Sequence, residues 1–260
     1  MFSQRSLPED LSAVRDEHAP DCLVLDVDAD FETLPPASAE ELGLLADSLS
    51  PASYPSEWLP EDAPALLKQY ASGTFTVGMP GDGTVVWTRQ TTPPTVLAKK
   101  RAEGTPEEFL DFLFAEAFVQ VGLDVPEHAL PFFGARYRDL DDAVGLGPVA
   151  LYQVAGALYE AWVGLQTRGA FRSWETDHPR LYDAWADAGE RLSGRLPGLP
   201  GEVARGETEF AAATEYACSA VKHGLDLPAP FDALDTAAYR DHGADYAVRW
   251  AEKTFAQLRE

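Results

Sequence analysis

Residues 74–100 read TFTVGMPGDGTVVWTRQTTPPTVLAKK and carry the clearest β pattern in a chain that otherwise looks mostly helical. Polar and apolar residues alternate at 74–77, which predicts a strand with one apolar face. Residues 84–88 are rich in β-branched and aromatic side chains, which suit a strand. The PGDG sequence at 80–83 predicts a turn, so the two runs are expected to form a hairpin. Residues 95–99 predict a third strand, which completes a meander.

A second β signal and a helix precede this stretch. Residues 22–27 (CLVLDV) form a short apolar run that predicts a buried strand. The capping-box spacing at 38–41 predicts the start of a helix, with Leu42, Leu45 and Leu49 pointing inward. Because a lone hairpin is marginal in water, we expect the meander to pack against these elements.

The TPEE sequence at 105–108 is another capping box, and every segment after it has helical periodicity. We therefore predict an α+β fold. Residues 1–103, with the β-meander at 74–100, form a small antiparallel or mixed sheet with helices. Residues 104–260 form a predominantly all-α helical bundle, in which residues 149–166 are the most buried helix. The two parts are either separate domains or share one core.

The chain is strongly acidic. Its 43 Asp and Glu residues against 20 Lys and Arg residues give a net charge of −23, and the acid is dispersed. Dispersed acid and scarce Lys fit a cytoplasm with molar salt, where charges are screened beyond about 3 Å. An acidic partner-binding surface or a nucleic-acid mimic is the competing explanation. The negative sign opposes nucleic-acid binding. No apolar run is long enough for a membrane span and no signal peptide is recognised, which predicts a soluble cytoplasmic protein.

The strand at 22–27 leads into Asp26-Val27-Asp28, which resembles the first motif of haloacid-dehalogenase-type phosphatases. In that family the first Asp is the nucleophile, the second is a general acid or base, and both lie near Mg²⁺. The resemblance would make Asp26 and Asp28 catalytic in a metal-dependent phosphohydrolase with Mg²⁺ as its cofactor. The alternative is that these acids only keep a strand end soluble. No other metal site or cofactor is predicted.

Basic residues concentrate in one region only. Arg89, Lys99, Lys100 and Arg101 fall on adjacent predicted strands and at the exit from the sheet. They are a candidate anion-binding or nucleotide-phosphate site. The alternative is that they protect a sheet edge from pairing with another chain.

A third candidate lies in the helical part. Phe132 and Phe133 stand close to Arg136 and Tyr137, which predicts an exposed contact surface for another protein. The alternative is a helix corner anchored by the two Phe side chains.

Taken whole, the chain resembles a family of uncharacterised haloarchaeal proteins. The resemblance is carried by VGMPGDGTVVWTRQTTPP at 77–94, LPFFGARYRDL at 130–140 and ARGETEFAAATEYACSAVKHGLDLP at 204–228. It implies a high-salt cytoplasm and no particular activity. We interpret the chain as a non-catalytic cytoplasmic protein of a halophile that acts through protein–protein contacts, with the phosphohydrolase as the alternative.

Overall fold

The computed structural model describes residues 2–78 and 83–259, and the chain packs into two compact units. The first unit comprises Met1–Tyr54, Leu66–Glu127 and Ser173–Ala184; the second comprises Pro55–Ala65, His128–Arg172 and Trp185–Glu260. The boundary predicted between 103 and 104 stays a prediction, because compact packing does not show which parts fold independently.

The first unit holds the strands of the structure and four helices. The strands are β1 (Phe2–Gln4), β2 (Leu23–Val27), β3 (Ser48–Leu49), β4 (Val85–Thr88), β5 (Thr91–Thr92) and β6 (Thr95–Ala98). The helices are α1 (Glu9–His18), α2 (Pro36–Leu45), α3 (Ala65–Tyr70) and α4 (Glu107–Gly122), with a 3₁₀ turn at Lys100–Ala102.

Four of the strands form a mixed sheet in the order β1-β2-β6-β4. β2 and β6 are parallel neighbours at the centre, whereas β1 and β4 pair antiparallel on either side. The central strands are buried on both faces, which explains their nearly continuous apolar sequences. β3 and β5 form a separate two-stranded antiparallel ribbon. The predicted small mixed sheet with helices is therefore confirmed.

Apolar side chains from the sheet and the loops around it form one core of the first unit. Its buried members are Leu25, Val27, Phe31, Leu34, Leu42, Phe75, Val77, Val86 and Leu97. On the other face, α4 packs against β4 and β6 and also against α1. The sheet is thus covered on both sides, as its apolar content requires.

The strand predicted at 74–77 is wrong, although its apolar residues are buried as expected. This segment is irregular. β4 pairs with β6 and not with residues 74–77. Two of its backbone carbonyls are satisfied by side chains: Gln90 Nε2 donates to Thr76 O at 2.7 Å, and Tyr70 Oη donates to Val77 O at 3.4 Å. Most of the turn predicted at 80–83 lies outside the described residues.

The second unit is helical. Its helices are α5 (Ala129–Phe133), α6 (Arg136–Val144), α7 (Pro148–Asp177), α8 (Pro179–Ser193), α9 (Leu199–Ala204), α10 (Phe210–His223) and α11 (Ala237–Arg259). Residues 173–184, at the junction of α7 and α8, belong to the first unit. Short 3₁₀ turns lie at Ser56–Trp58, Leu196–Gly198 and Phe231–Leu234.

Helix α7 is the longest helix of the described chain, at 30 residues. Leu151, Val154 and Leu158 on it are buried, in agreement with the prediction of a central helix. Gly164 allows α10 to approach closely, because a Cβ at this position would lie 2.7 Å from the Cα of Lys222. Within residues 2–78 and 83–259, no helix combines the length and apolar character that a bilayer crossing needs.

Candidate functional site

Asp26 lies within β2 rather than at its end. It stands opposite Ser3 of β1 and Ala98 of β6 in the ladders. Its Oδ1 accepts a hydrogen bond from Arg5 Nε at 2.9 Å, so the carboxylate is held in an ion pair. Asp28 follows the strand and is exposed to solvent.

Lys99 directly follows β6 and is buried, with its Nζ 5.2 Å from the centre of the Phe31 ring. Side chains alternate along a strand, and Asp26 is in register with Ala98. Asp26 and Lys99 therefore point to opposite faces of the sheet. A phosphatase of the predicted kind needs its Asp and Lys to converge on one phosphate, so this arrangement does not favour that hypothesis.

Three of the four basic residues lie together beyond the carboxyl ends of β2 and β6. Arg101 donates to Asp30 Oδ1 from its backbone N at 3.0 Å and from Nε at 3.1 Å, and its Nη2 donates to Glu32 at 3.3 Å. The backbone N and side chain of Arg101 lower the pKa of Asp30. Lys100 N donates to Ala29 O at 3.4 Å. The side-chain charge of Arg101 is thus paired within the chain and ties two loops together.

Arg89 lies at the opposite end of the sheet. β4 and β6 are antiparallel with Val85 opposite Ala98, so Lys99 lies opposite Thr84. Arg89 is five residues further along the chain, which corresponds to roughly 17 Å of strand. Arg89 Nη1 donates to Val125 O at 3.0 Å and lies 2.9 Å from the exposed Asp124 carboxylate. Arg89 Nη2 also donates to Gln120 O at 3.3 Å and to Val121 O at 3.4 Å, so Arg89 caps the carboxyl end of α4. The structure does not bring it to the other three basic residues.

Glu127 is the most constrained carboxylate near Arg89. It accepts hydrogen bonds from Arg89 N at 2.6 Å, from Thr88 Oγ1 at 3.0 Å and from Gln90 Nε2 at 3.0 Å. Burial raises its pKa, and these donors oppose the rise. Since every contact named here anchors the loop after α4 to the end of β4, Glu127 has a structural role in this geometry.

The four residues predicted as a contact surface do not share one environment. Phe133 and Tyr137 are buried in the second unit, which removes them from the surface. Phe132 is half-buried, and its ring centre lies 5.0 Å from that of Trp162. Arg136 is exposed but pairs with two acids, among them Asp139 at 2.7 Å. The arrangement is closer to a helix corner anchored by aromatic side chains.

Metal binding and thiol chemistry have little support in the described residues. No group of three or more His, Cys, Asp or Glu residues among them is arranged to hold a metal ion. Cys22 and Cys218 are buried free thiols, and burial raises the pKa of Cys22 to about 12. Such thiols are poor nucleophiles at neutral pH.

The surface that stands out lies at the end of α2. Leu44 is 85% exposed and Leu45 is 50% exposed, whereas Leu42 one turn earlier is fully buried in the core. Among the described large apolar residues with high exposure, these are the ones adjacent in sequence. Glu40, Glu41 and Asp47 flank them in sequence. We call the set Leu44, Leu45, Glu40, Glu41 and Asp47 the α2–β3 surface.

The sequence prediction missed this surface because it placed Leu45 on the inward face. Leu44 and Leu45 are separated by 100° around a helix, and a single core face cannot take both together with Leu42. The distribution of charged residues in the sequence also pointed to this region. Residues 16–67 contain thirteen acidic residues and neither Lys nor Arg. Such a long stretch without a basic residue is uneven even for an acidic chain.

Comparison with known proteins places the chain in a family. No curated protein and no solved structure matches it. A family model described as "Family of unknown function (DUF7089)" matches residues 1–258. Since this match covers nearly the whole chain, the protein belongs to that family of unknown function.

Proposed function

We propose that the protein is a soluble, non-catalytic cytoplasmic protein that acts by binding another protein through the α2–β3 surface. The observation that carries the proposal is the exposure of Leu44 and Leu45 side by side. Adjacent apolar side chains in contact with water are unfavourable. Burying Leu44 in an interface would contribute up to roughly 1.5–3 kcal/mol, and burying the half-exposed Leu45 about half as much. Single exposed apolar residues need no such explanation.

The ribbon beside α2 supports side-chain recognition rather than strand addition. β3 is two residues long and has a ladder partner on one side only within the described chain. Pro51 follows soon after it and lacks a backbone donor. An edge this short offers few backbone hydrogen bonds to a new strand. The two leucines are therefore the main source of contact area.

We also propose that the protein works in a salt-rich cytoplasm of the haloarchaeal type. The support is the net charge of −23 and the use of only five Lys among the 20 basic residues. Self-repulsion of this charge destabilises the folded chain at low ionic strength and is screened in molar salt. The urea concentration at the midpoint of unfolding should therefore rise as KCl is raised toward ~2 M, because the screening length at such salt concentrations is below about 3 Å. A midpoint that is independent of KCl would contradict this proposal.

Site-specific photocrosslinking tests the contact function. A photoreactive amino acid replaces Leu44, and the same amino acid replaces Leu123, an exposed leucine at the end of α4, as the matched control. Both proteins are expressed in the native host of the chain and are irradiated in the cells. We expect one defined crosslinked species from position 44 and none of the same mass from position 123. Equal crosslinking patterns from both positions would show that α2–β3 is not a specific binding surface.

A phosphatase assay keeps the enzymatic alternative open to refutation. The assay compares the wild-type chain with Asp26→Asn in molar KCl with Mg²⁺. We expect the same background rate from both. A Mg²⁺-dependent rate that disappears in Asp26→Asn would overturn the non-catalytic proposal.

A further inference from the structure

We infer that the partner segment bound by the α2–β3 surface is basic and apolar, with Lys or Arg residues flanking the side chains that cover Leu44 and Leu45. This inference rests on the proposed function and names the chemistry of the partner. Three observations carry it: the charge of the surface, the absence of internal pairing for that charge among the described residues, and the poor fit of a second copy of the chain.

The α2–β3 surface is uniformly acidic. Glu40 and Glu41 precede the leucine pair on α2, and Asp47 follows it. Residues 16–67, which contain the whole surface, have no Lys or Arg that could neutralise these carboxylates locally. A complementary partner must therefore supply positive charge next to its apolar side chains.

The acids of this surface differ from those nearby in having no ion-pair partner within the described chain. Asp30 and Glu32, a few residues earlier, pair with Arg101 at 3.1 and 3.3 Å. Asp26 pairs with Arg5 at 2.9 Å. No comparable ion pair is formed in the described residues by the three acids of the α2–β3 surface. Their charge is left for an external cation.

The geometry suits Lys and Arg better than a small cation. A long basic side chain can lay its methylene groups over an exposed leucine while its charged end reaches a neighbouring carboxylate. In molar salt, charges separated by more than about 3 Å are screened, so only such contact pairs discriminate between partners. Burial of Leu44 and Leu45 then supplies affinity, and the direct ion pairs select the partner.

A second copy of this chain fits poorly. A two-fold symmetric contact through the same surface would bring two sets of Glu40, Glu41 and Asp47 together around the leucines. Like charges at contact distance oppose association even in salt. The surface therefore suits a segment of a different protein.

Binding of defined peptides to the full-length protein tests the inference. The probe is a fluorescein-labelled amphipathic peptide of Leu and Lys, and binding is followed by anisotropy in about 1 M KCl, where long-range attraction is screened. Two companion peptides replace all Lys by Glu or all Leu by Ser. We expect the Lys–Leu peptide to bind at least about tenfold more tightly than either companion, which corresponds to ~1.4 kcal/mol.

Substitutions in the protein test whether the peptide binds at the α2–β3 surface. Leu44→Lys changes a side chain that is 85% exposed and should leave the fold intact, which circular dichroism verifies. It should weaken binding of the Lys–Leu peptide about tenfold or more, by loss of apolar contact and by repulsion. Leu123→Lys is the control and should change binding less than about twofold. Equal binding by wild type and Leu44→Lys would overturn the inference.

The remaining outcomes separate this inference from the proposed function. If the Glu–Leu peptide binds as well as the Lys–Leu peptide, the basic partner class is wrong, while a specific crosslink at position 44 would still support protein contact. If sedimentation shows a dimer that Leu44→Lys abolishes, the occupant is a second copy and the inference is overturned. If position 44 crosslinks nothing, the proposed function itself fails.

Discussion

Replacing Gly164 by Ala tests the close packing of α7 against α10. In an ordinary helix interior, Gly→Ala stabilises a protein by roughly 0.5–1 kcal/mol, because Gly loses more backbone entropy on folding. At Gly164 the added Cβ would lie 2.7 Å from Lys222 Cα and 3.2 Å from Lys222 N. Backbone atoms cannot move aside as a flexible side-chain end can, so one of the two helices must shift.

Overpacking of this kind typically destabilises by about 1–3 kcal/mol, which exceeds the propensity gain. We expect Gly164→Ala to lower the free energy of unfolding by about 1–2 kcal/mol in net terms. Gly169 lies on the same helix and is exposed, and a Cβ added there would have no neighbouring atom within 4 Å. Gly169→Ala should therefore stabilise the protein by up to ~1 kcal/mol.

Thermal unfolding in molar KCl, followed by circular dichroism at 222 nm in the helical band, measures both variants. For a chain of this size 1 kcal/mol shifts Tm by roughly 2–4 °C, so Gly164→Ala should lower Tm by about 2–8 °C and Gly169→Ala should raise it slightly. A Gly164→Ala protein as stable as Gly169→Ala would refute the close approach of the two helices.

Three further results are expected. Arg180→Gln should lower the free energy of unfolding by about 2–3 kcal/mol, because Asp111 is buried and its Oδ2 accepts a hydrogen bond from Arg180 Nη1 at 2.7 Å. Adding Asp111→Asn should recover at least part of this loss. If urea unfolding showed that the effects of the two substitutions simply add, that result would contradict the pairing. Burial lowers the pKa of His128 from 6.5 to about 3. The contribution of His128 to the free energy of unfolding is therefore fully present above pH 6.5 and falls by ~1.4 kcal/mol per pH unit as pH drops toward 3. His128→Asn should reduce that slope, and an unchanged slope would count against a neutral buried imidazole. Leu42→Ala should destabilise by about 2–5 kcal/mol, whereas Leu44→Ala should stay within about 0.5 kcal/mol; similar urea midpoints for the two would mean that the orientation of α2 is wrong.

Local chemistry was enough to predict much of the fold. Residues 22–27, 84–88 and 95–99 carry β-branched and apolar side chains, and all three appear as β2, β4 and β6 within one or two residues. Residues 74–77 have a comparable alternation and still form no strand. Their apolar side chains are buried, but the ladder beside β4 belongs to β6, and that choice depends on a pairing that no local pattern encodes.

The candidate surface was harder to predict than the fold. The leucines at 42, 44 and 45 are equally apolar, so composition does not say which of them faces water. Periodicity placed Leu45 inward, one turn after Leu42, and the structure leaves it half exposed. Leu42 is buried in the core of the first unit among strand and loop residues that are distant in sequence, and Leu49 packs against that core. Leu44 and Leu45 do not belong to it.

The sequence by itself determined the acidity of the chain, its α+β class and the buried strand that contains Asp26. Only the tertiary structure decided which charged residues meet. Lys99 and Asp26 point to opposite faces because the parallel register of β2 and β6 sets the parity of each side chain. Arg89 and Lys99 lie at opposite ends because β4 runs antiparallel to β6. The register and relative direction of two strands are properties of the pair. Local sequence cannot specify them for β2 and β6, because a long stretch of chain separates these two strands.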